Sequence, residues 1–202
     1  MRKRILIIAT LDTKWAEVGY IKDLIEGRGH KPIVMDVGVS GKTLLNSDIS
    51  RDEVAKAGGA TLKKLLSYRR DLAMKVMAEG AATIAKKLYD ERKFDGVISI
   101  GGNQGTMIGT TAMKALPIGV PKVMVSTVAS GNIRPYIGNR DIAMMFSVAD
   151  MLGGVNVVTK TILSNATGAV LGMCEVNVKM QTAINKKVIG ITAFGSTNGA
   201  AS

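Results

Sequence analysis

The chain has 202 residues, of which 47% are hydrophobic and 21% charged, and this balance excludes a disordered or low-complexity protein. Its 27 Lys and Arg outnumber its 16 Asp and Glu, and the formal net charge of +11 favours anionic partners without choosing among them. A single cysteine excludes an internal disulfide and indicates a reducing, cytoplasmic compartment.

The N-terminal part of the chain predicts a β-α-β unit. Residues 4–10 and 32–37 are short apolar runs without alternation, which is typical of strands buried on both faces of a sheet. Between them, apolar residues recur at helical spacing over residues 13–26. These residues are Val18, Ile21 and Ile25.

A membrane segment is not expected. The basic residues ahead of the first apolar run resemble the start of a signal peptide, but Asp12 and Lys14 end that run early and no cleavage site follows. The uncharged stretch at residues 97–113 is broken by Gly, Asn, Gln and Thr, so it does not predict a membrane span.

Residues 38–67 form a long excursion rich in turn-forming residues, which we interpret as an insertion or a moving flap. Residues 40–43 within it, Ser-Gly-Lys-Thr, end like a phosphate-binding P-loop. The earlier glycine that such a loop requires would fall at Asp36, and no clean helical pattern follows. We therefore do not expect a P-loop here.

The rest of the chain alternates the same two patterns. A helix is expected around residues 74–88, where a stripe of Met and aliphatic residues favours core packing. Further strands are predicted at residues 94–100, 121–128, 142–148 and 187–192, and further helices at residues 104–116 and 156–176. The sequence therefore predicts one domain over residues 1–202, an α/β fold with a doubly wound, mostly parallel Rossmann-like sheet and helices on both faces.

The predicted helix at residues 156–176 carries an apolar stripe and is rich in small residues. The stripe consists of Val158, Ile162, Ala169 and Met173. A small-residue face of this kind suits either close helix packing or a contact between subunits.

Polar loops follow three of the predicted strands, at the edge where open parallel sheets bind their ligands. Glycines in the loop after the third strand let backbone N–H groups approach an anion, and the next helix adds the positive end of its dipole. We expect a phosphate to bind there; the alternative is that the glycines only allow a tight turn. The candidate binding residues of the three loops are Thr10, Asp12, Thr13, Lys14, Gly101, Gly102, Asn103, Gln104, Gly105, Thr106, Ser126, Thr127, Ser130 and Gly131.

Asp36 joins the candidate site because dinucleotide-binding folds place a ribose-binding acid at the end of the second strand. Without the matching glycine fingerprint, a turn-capping role for Asp36 stays an equal alternative. No catalytic residue or metal site is predicted, since His30 and Cys174 are single residues without the spacing of a catalytic or metal-ligand set.

The basic excess does not predict a specific nucleic-acid site. Basic pairs are dispersed over the predicted helix faces, and aromatic residues, at 4%, offer no platform for stacking bases. The expected partner is a nucleotide or another small anion.

Five loop segments, in this order along the chain, resemble the Tm-one-like ATP-binding family (tomato mosaic virus resistance protein type). They are TLDTK at 10–14, GGNQGT at 101–106, LPIGVPK at 116–122, VSTVASG at 125–131 and PYIGNRDI at 135–142. The resemblance implies ATP or a related nucleotide as ligand, a homo-oligomer, and a Rossmann-like domain followed by a second domain of barrel type. On this basis we expect the chain to be the N-terminal half of a longer two-domain protein.

Two further hypotheses stay open beside nucleotide binding. The chain is alternatively the N-terminal half of an enzyme that acts on a small phosphorylated or carboxylated metabolite, or an oligomeric protein-interaction module built on the helix at residues 156–176.

Overall fold

The computed structural model describes residues 1–151 and 154–176. The strands of this part are β1 (Arg4–Ala9), β2 (Lys31–Asp36), β3 (Gly96–Gly101), β4 (Lys122–Ser126) and β5 (Ala143–Phe146). The helices are α1 (Leu11–Gly27), α2 (Arg51–Ala57), α3 (Leu62–Leu65), α4 (Arg70–Asp90), α5 (Asn103–Lys114), α6 (Arg134–Ile137) and α7 (Val157–Glu175). The strand predicted at residues 187–192 lies outside the described residues.

The strands form one five-stranded sheet in the order β2-β1-β3-β4-β5, and every neighbouring pair is parallel. In the pairing of β1 with β2, Arg4 lies opposite Lys31 and Ala9 opposite Asp36. Helices cover both faces of the sheet. The predicted α/β, Rossmann-like fold class is confirmed.

Successive side chains of β1 point to opposite faces of the sheet, and this explains how apolar residues cover both faces. Ile5 and Ile7 belong to the cluster formed with α1 and α7, whereas Leu6 and Ile8 belong to the cluster formed with α2, α4 and α5. All four side chains are completely buried. Because the full burial of one such side chain stabilises a protein by about 1.5–3 kcal/mol, these two clusters hold the three layers together.

The helices of the excursion after β2 pack in the core, so the interpretation as a moving flap is wrong for α2 and α3. Ser50 caps α2 through a capping box with Glu53, and Val54 and Ala55 of α2 are completely buried against α4. A Cβ on Gly80 of α4 would overlap the backbone of α2, which shows how closely the two helices approach. With only seven residues, α2 is too short to produce a clear periodicity in the sequence.

Helix α7 packs on β3, β4 and α1 through Leu163, Ala166 and Val170. The predicted stripe is divided: Ile162 and Ala169 are partly buried and pack against the same cluster, whereas Val158 is 42% and Met173 37% exposed. Close packing therefore accounts for the middle of the stripe, and its two ends stay exposed. Among the described residues, α7 is also the one helix long and apolar enough to cross a membrane, and 39% of the apolar window is buried within the protein.

A buried lysine joins the loops at the amino-terminal edge of the sheet. Lys122 of β4 is completely buried, and its Nζ donates to the carbonyls of Pro117 and Val120 and to Asp141 Oδ1 at 2.8 Å. The other carboxylate oxygen of Asp141 accepts the backbone N–H of Gly119 at 2.7 Å. Burial alone would raise the pKa of Asp141, but the hydrogen bonds from Lys122 and Gly119 outweigh it and hold the pKa below its ordinary value of 3.8.

Replacing this carboxylate is expected to destabilise the fold at neutral pH. In Asp141→Ala, Lys122 stays buried without its charge partner, and we expect the free energy of unfolding at pH 7 to fall by about 2 kcal/mol, since partial exposure of Asp141 weakens the pair. The lowered pKa means that this contribution is complete above about pH 4 and is lost as the pH falls through the folded-state pKa. Urea unfolding from pH 7 to pH 2 measures the difference between wild type and variant.

The double variant Lys122→Met/Asp141→Ala is the control, because it removes both charges and is expected to recover part of the loss. A difference between wild type and Asp141→Ala that stays constant down to pH 2 contradicts this account of the ion pair.

Candidate functional site

The sheet order brings the three predicted polar loops to one edge. They follow β1, β3 and β4, which are adjacent strands. The chain leaves β1 into α1 on one face of the sheet and leaves β3 into α5 on the other face. The two connections therefore separate between β1 and β3, at the topological switch point where open α/β sheets bind ligands.

Close packing explains most glycines of the loop between β3 and α5. A Cβ on Gly101 would lie 2.6 Å from the Cα of Gly105, and a Cβ on Gly105 would lie 3.2 Å from the carbonyl oxygen of Ile100. Gly101 and Gly105 are thus required by the tight turn itself, as the alternative interpretation of this loop holds.

Gly102 is different. A Cβ there would meet only Thr127 Oγ1, at an ordinary contact distance of 3.6 Å, and its φ of −77° is open to any residue. Gly102 is also the N-cap residue of α5, and no side chain caps this helix, whereas Ser50 caps α2 and Asn156 caps α7. An uncapped helix N-terminus presents free N–H groups and the positive end of the dipole, which attract an anion.

The hydroxyls of Thr106 and Ser126 are turned toward each other beneath this loop. Their Oγ atoms lie 2.6 Å apart, and both residues are completely buried. The backbone N–H groups of Thr127 and Val128 donate to the carbonyl of Gly101 and to Ser126 Oγ, respectively. These contacts join the loops after β3 and β4, so Thr106 and Ser126 form the buried base of the candidate site.

The outer part of the same edge carries exposed polar groups. Asn103 is exposed, and its Oδ1 accepts a hydrogen bond of 2.6 Å from the hydroxyl of Tyr136 in α6. Gln104 is half-buried beside it, and Ser130 and Gly131 are exposed in the loop after β4. The hydrogen bond brings Tyr136 to the site; the sequence analysis did not include this residue, although it lies within the PYIGNRDI segment.

The loop after β1 forms the opposite wall of the candidate site. Thr10 is the N-cap residue of α1, and its hydroxyl lies 3.0 Å from that of exposed Thr13. Asp12 lies against Gly38, where an added Cβ would stand 3.0 Å from its carboxyl carbon. Lys14 is buried, and its Nζ donates to the carbonyl of Met151, so the amine is engaged within the protein.

Asp36 organises this wall. Its Oδ1 accepts the backbone N–H groups of Leu11 at 3.0 Å and Gly38 at 2.9 Å. Its Oδ2 accepts Arg51 Nε at 2.8 Å, and Arg51 Nη1 donates onward to the carbonyls of Ser40 and Gly41. Asp36 therefore caps the turn and anchors residues 38–41; its two oxygens are engaged within the protein. Sequence analysis missed Arg51, since no local pattern links it to Asp36.

Comparison with known proteins places the chain among longer relatives. The sequence profile described as "Uncharacterised protein family (UPF0261) N-terminal domain" matches residues 3–179. A UPF0261 protein of Clostridium tetani is 46% identical over 198 residues, which cover 98% of this chain and 48% of that protein. A UPF0261 protein of Rhizobium meliloti is 41% identical over 197 residues, covering 96% of this chain and 48% of that protein.

A plant protein is also similar. The ToMV resistance protein Tm-1(GCR237) of Solanum lycopersicum is 33% identical over 215 residues, which cover 96% of this chain and 28% of that protein. The five loop segments led to a resemblance to the Tm-one-like ATP-binding family. The profile that matches is that of UPF0261, and the plant protein is a more distant relative. The chain spans about half the length of the two bacterial relatives.

Breaking the Asp36–Arg51 pair is expected to destabilise the protein strongly. Arg51→Met leaves a carboxylate with 2% side-chain exposure without its cation, and we expect the free energy of unfolding to fall by about 3–5 kcal/mol. Amide hydrogen exchange of residues 38–43 is expected to accelerate as well. Arg69→Met is the matched control, because Arg69 pairs with Asp71 at the surface and its loss should change stability by less than about 1 kcal/mol. Equal effects of the two substitutions would refute a special role for the buried pair.

Proposed function

The chain belongs to the UPF0261 family as its N-terminal domain, and from the geometry of the carboxyl-terminal edge of its sheet we propose that it binds the phosphates of a nucleotide. The backbone N–H groups at the start of α5 hold the phosphate oxygens, and the loops after β1 and β4 close the two sides. The choice of ATP among nucleotides comes from the resemblance of the five loop segments to the Tm-one-like ATP-binding family.

Gly102 carries this proposal. Neither side-chain packing nor backbone conformation requires glycine at this position, yet its missing side chain leaves the uncapped end of α5 open. A phosphate that approaches the N–H groups of Asn103 and Gln104 needs this space. The net charge of +11 favours the same anion through its long-range field.

The side chains of the edge divide into two roles under this proposal. Asn103, Gln104, Thr127 and Ser130 are placed to contact the nucleotide directly. Thr106, Ser126, Asp36 and Lys14 act indirectly, because each is buried and bonded within the protein.

The proposal is tested by filling the space at Gly102. Gly102→Ala fits the fold, since the new methyl group meets Thr127 at an ordinary distance, but it blocks the approach of a phosphate. We expect isothermal titration calorimetry to show ATP binding by the wild type and an affinity at least about tenfold weaker in Gly102→Ala. Fluorescence of Trp15, the single tryptophan, gives a second readout, because Trp15 lies in the first turns of α1 and is 37% exposed.

Gly172→Ala on the exposed side of α7 is the matched control, because its Cβ would meet nothing within 4 Å. It should bind ATP like the wild type and gain about 1 kcal/mol of stability from the better helix former. Absence of binding heat with ATP, ADP and NAD at tens of micromolar wild-type protein would contradict the proposal of nucleotide binding.

Self-association is a second candidate function, favoured by the outward side of α7. Apolar residues stay exposed at its N-terminal end, with Val157 at 80% and Val158 at 42%. Exposed apolar side chains that lie close together are typical of an interface, and a second copy of the chain would cover them.

We expect multi-angle light scattering to give a dimer mass for the wild type and a monomer mass for Val158→Glu, because the new carboxylate would be buried at the interface. Leu72→Glu is the control, since Leu72 is 50% exposed on α4, on the other face of the sheet. A wild type that stays monomeric at all concentrations contradicts this second candidate.

A further inference from the structure

A cavity of about 670 Å³ lies at the amino-terminal edge of the sheet, opposite the edge with the candidate nucleotide site. It opens where β1 begins, α4 ends and α7 ends, beside the loop that leads into β4. None of the residues proposed to contact the nucleotide lines it. Its volume is sufficient for a small organic ligand.

The charges around this cavity are not balanced. Asp95 is paired with Arg4, whose Nε lies 3.2 Å from Asp95 Oδ2, and Asp90 is paired with Lys86. Among the residues that the structure describes, the remaining two cations of the lining, Lys3 and Arg92, form no ion pair with an acid. The lining holds three cations and two acids, and the charge of Lys3 also helps to lower the pKa of Asp95. Lys3 and Arg92 are therefore the cations that the cavity offers to an anion, with a net positive charge in the lining.

Apolar side chains form the rest of the wall. Phe94 is buried, whereas Ile118 is 56% and Met173 37% exposed beside the cavity. Exposed aliphatic groups next to two unpaired cations fit a ligand with an anionic head and an apolar body.

Arg92 occupies a backbone conformation that favours glycine. Its φ is +54°, in the left-handed region, at the point where α4 ends. The N–H of Arg92 donates to the carbonyl of Tyr89 and the N–H of Lys93 to that of Leu88, so the helix closes with the turn in which glycine is the usual residue. An arginine at this position has a less favourable backbone than glycine, and its side chain lines the cavity. Stability alone therefore does not explain the arginine.

Cys174 lines the cavity but is not suited to act as a nucleophile. Burial, with a further contribution from Asp95, raises the pKa of its thiol to about 11, so it stays protonated at neutral pH and is a poor nucleophile. An added Cβ on Gly96 would lie 2.5 Å from its sulfur, which shows that the thiol packs directly on the start of β3.

We propose that this cavity is a second ligand site, which binds a small organic phosphate monoester with an apolar body. Lys3 and Arg92 pair with the dianionic phosphate, and Phe94, Ile118 and Met173 contact the apolar body. Two unpaired cations match the charge of a phosphate monoester better than that of a single carboxylate, and a guanidinium binds phosphate oxygens in a two-pronged geometry.

Phenyl phosphate is the probe, titrated into the 202-residue chain by isothermal titration calorimetry. We expect it to bind the wild type at least about tenfold more tightly than inorganic phosphate, which lacks the apolar body. Arg92→Gly should weaken this binding at least about tenfold while its Tm stays at or above that of the wild type, because glycine suits the left-handed conformation. Lys93→Gln is the matched control, since it removes a neighbouring positive charge that does not line the cavity, and it should bind like the wild type.

Equal binding by Arg92→Gly and Lys93→Gln would overturn the proposal, as would a wild type that binds phenyl phosphate no better than inorganic phosphate. Gly102→Ala separates this site from the proposed nucleotide site, and we expect it to bind phenyl phosphate like the wild type. If Gly102→Ala loses phenyl phosphate binding and Arg92→Gly keeps it, the probe binds at the carboxyl-terminal edge of the sheet. This result would overturn the second site. It would not decide whether the chain binds ATP.

Discussion

The carboxylate of Asp36 is the constraint on which the carboxyl-terminal edge of the sheet depends. It closes the end of β2, receives the first N–H of α1 and holds Arg51 at the start of α2. Since Asp36 is almost completely buried, each donor must stay in place to offset the loss of its hydration. One side chain thus fixes the distance between α1, α2 and residues 38–41. The wall of the candidate site opposite α5 is rigid for this reason.

Much of what makes the sequence recognisable serves the fold rather than a ligand. Within the loop segments, the buried amine of Lys122 donates to the partly exposed carboxylate of Asp141, while Gly101 and Gly105 allow α5 to approach β3. A few groups around Gly102 have no structural role of this kind. The resemblance carried by the loop segments is therefore stronger evidence for this architecture than for any one ligand, and the ligand must be argued from the groups that remain.

Periodicity predicted the layers of the fold because its strands and longer helices bury regular patterns. The unbroken apolar run of β1 and the spacing of Val18, Ile21 and Ile25 in α1 lead directly to a sheet covered on both faces. Long-range polar contacts left no such pattern, so neither the burial of Lys122 nor the pairing of Arg51 was predicted. The apolar stripe of α7 marked a real helix, but the pattern alone did not tell that its middle packs on the core while its ends are exposed. For the site, the rule that parallel strands end at one edge of the sheet predicted which loops meet, whereas the roles of their side chains required the hydrogen bonds.

The start of α1 departs from regular helix geometry and from the hydrogen bonding of buried polar groups, which most of the fold follows. Lys14 has non-helical backbone angles inside the helix and is buried, and three residues later the fully buried carboxyl group of Glu17 has no hydrogen-bond partner among the described residues. A buried polar group without a partner costs roughly 1–3 kcal/mol, so an apolar residue at position 17 would make α1 pack more stably. Departures of this kind concentrate where a protein serves a function at the expense of stability. Their position, within two turns of Thr10, is consistent with the proposed site at this edge and does not depend on the glycine loop.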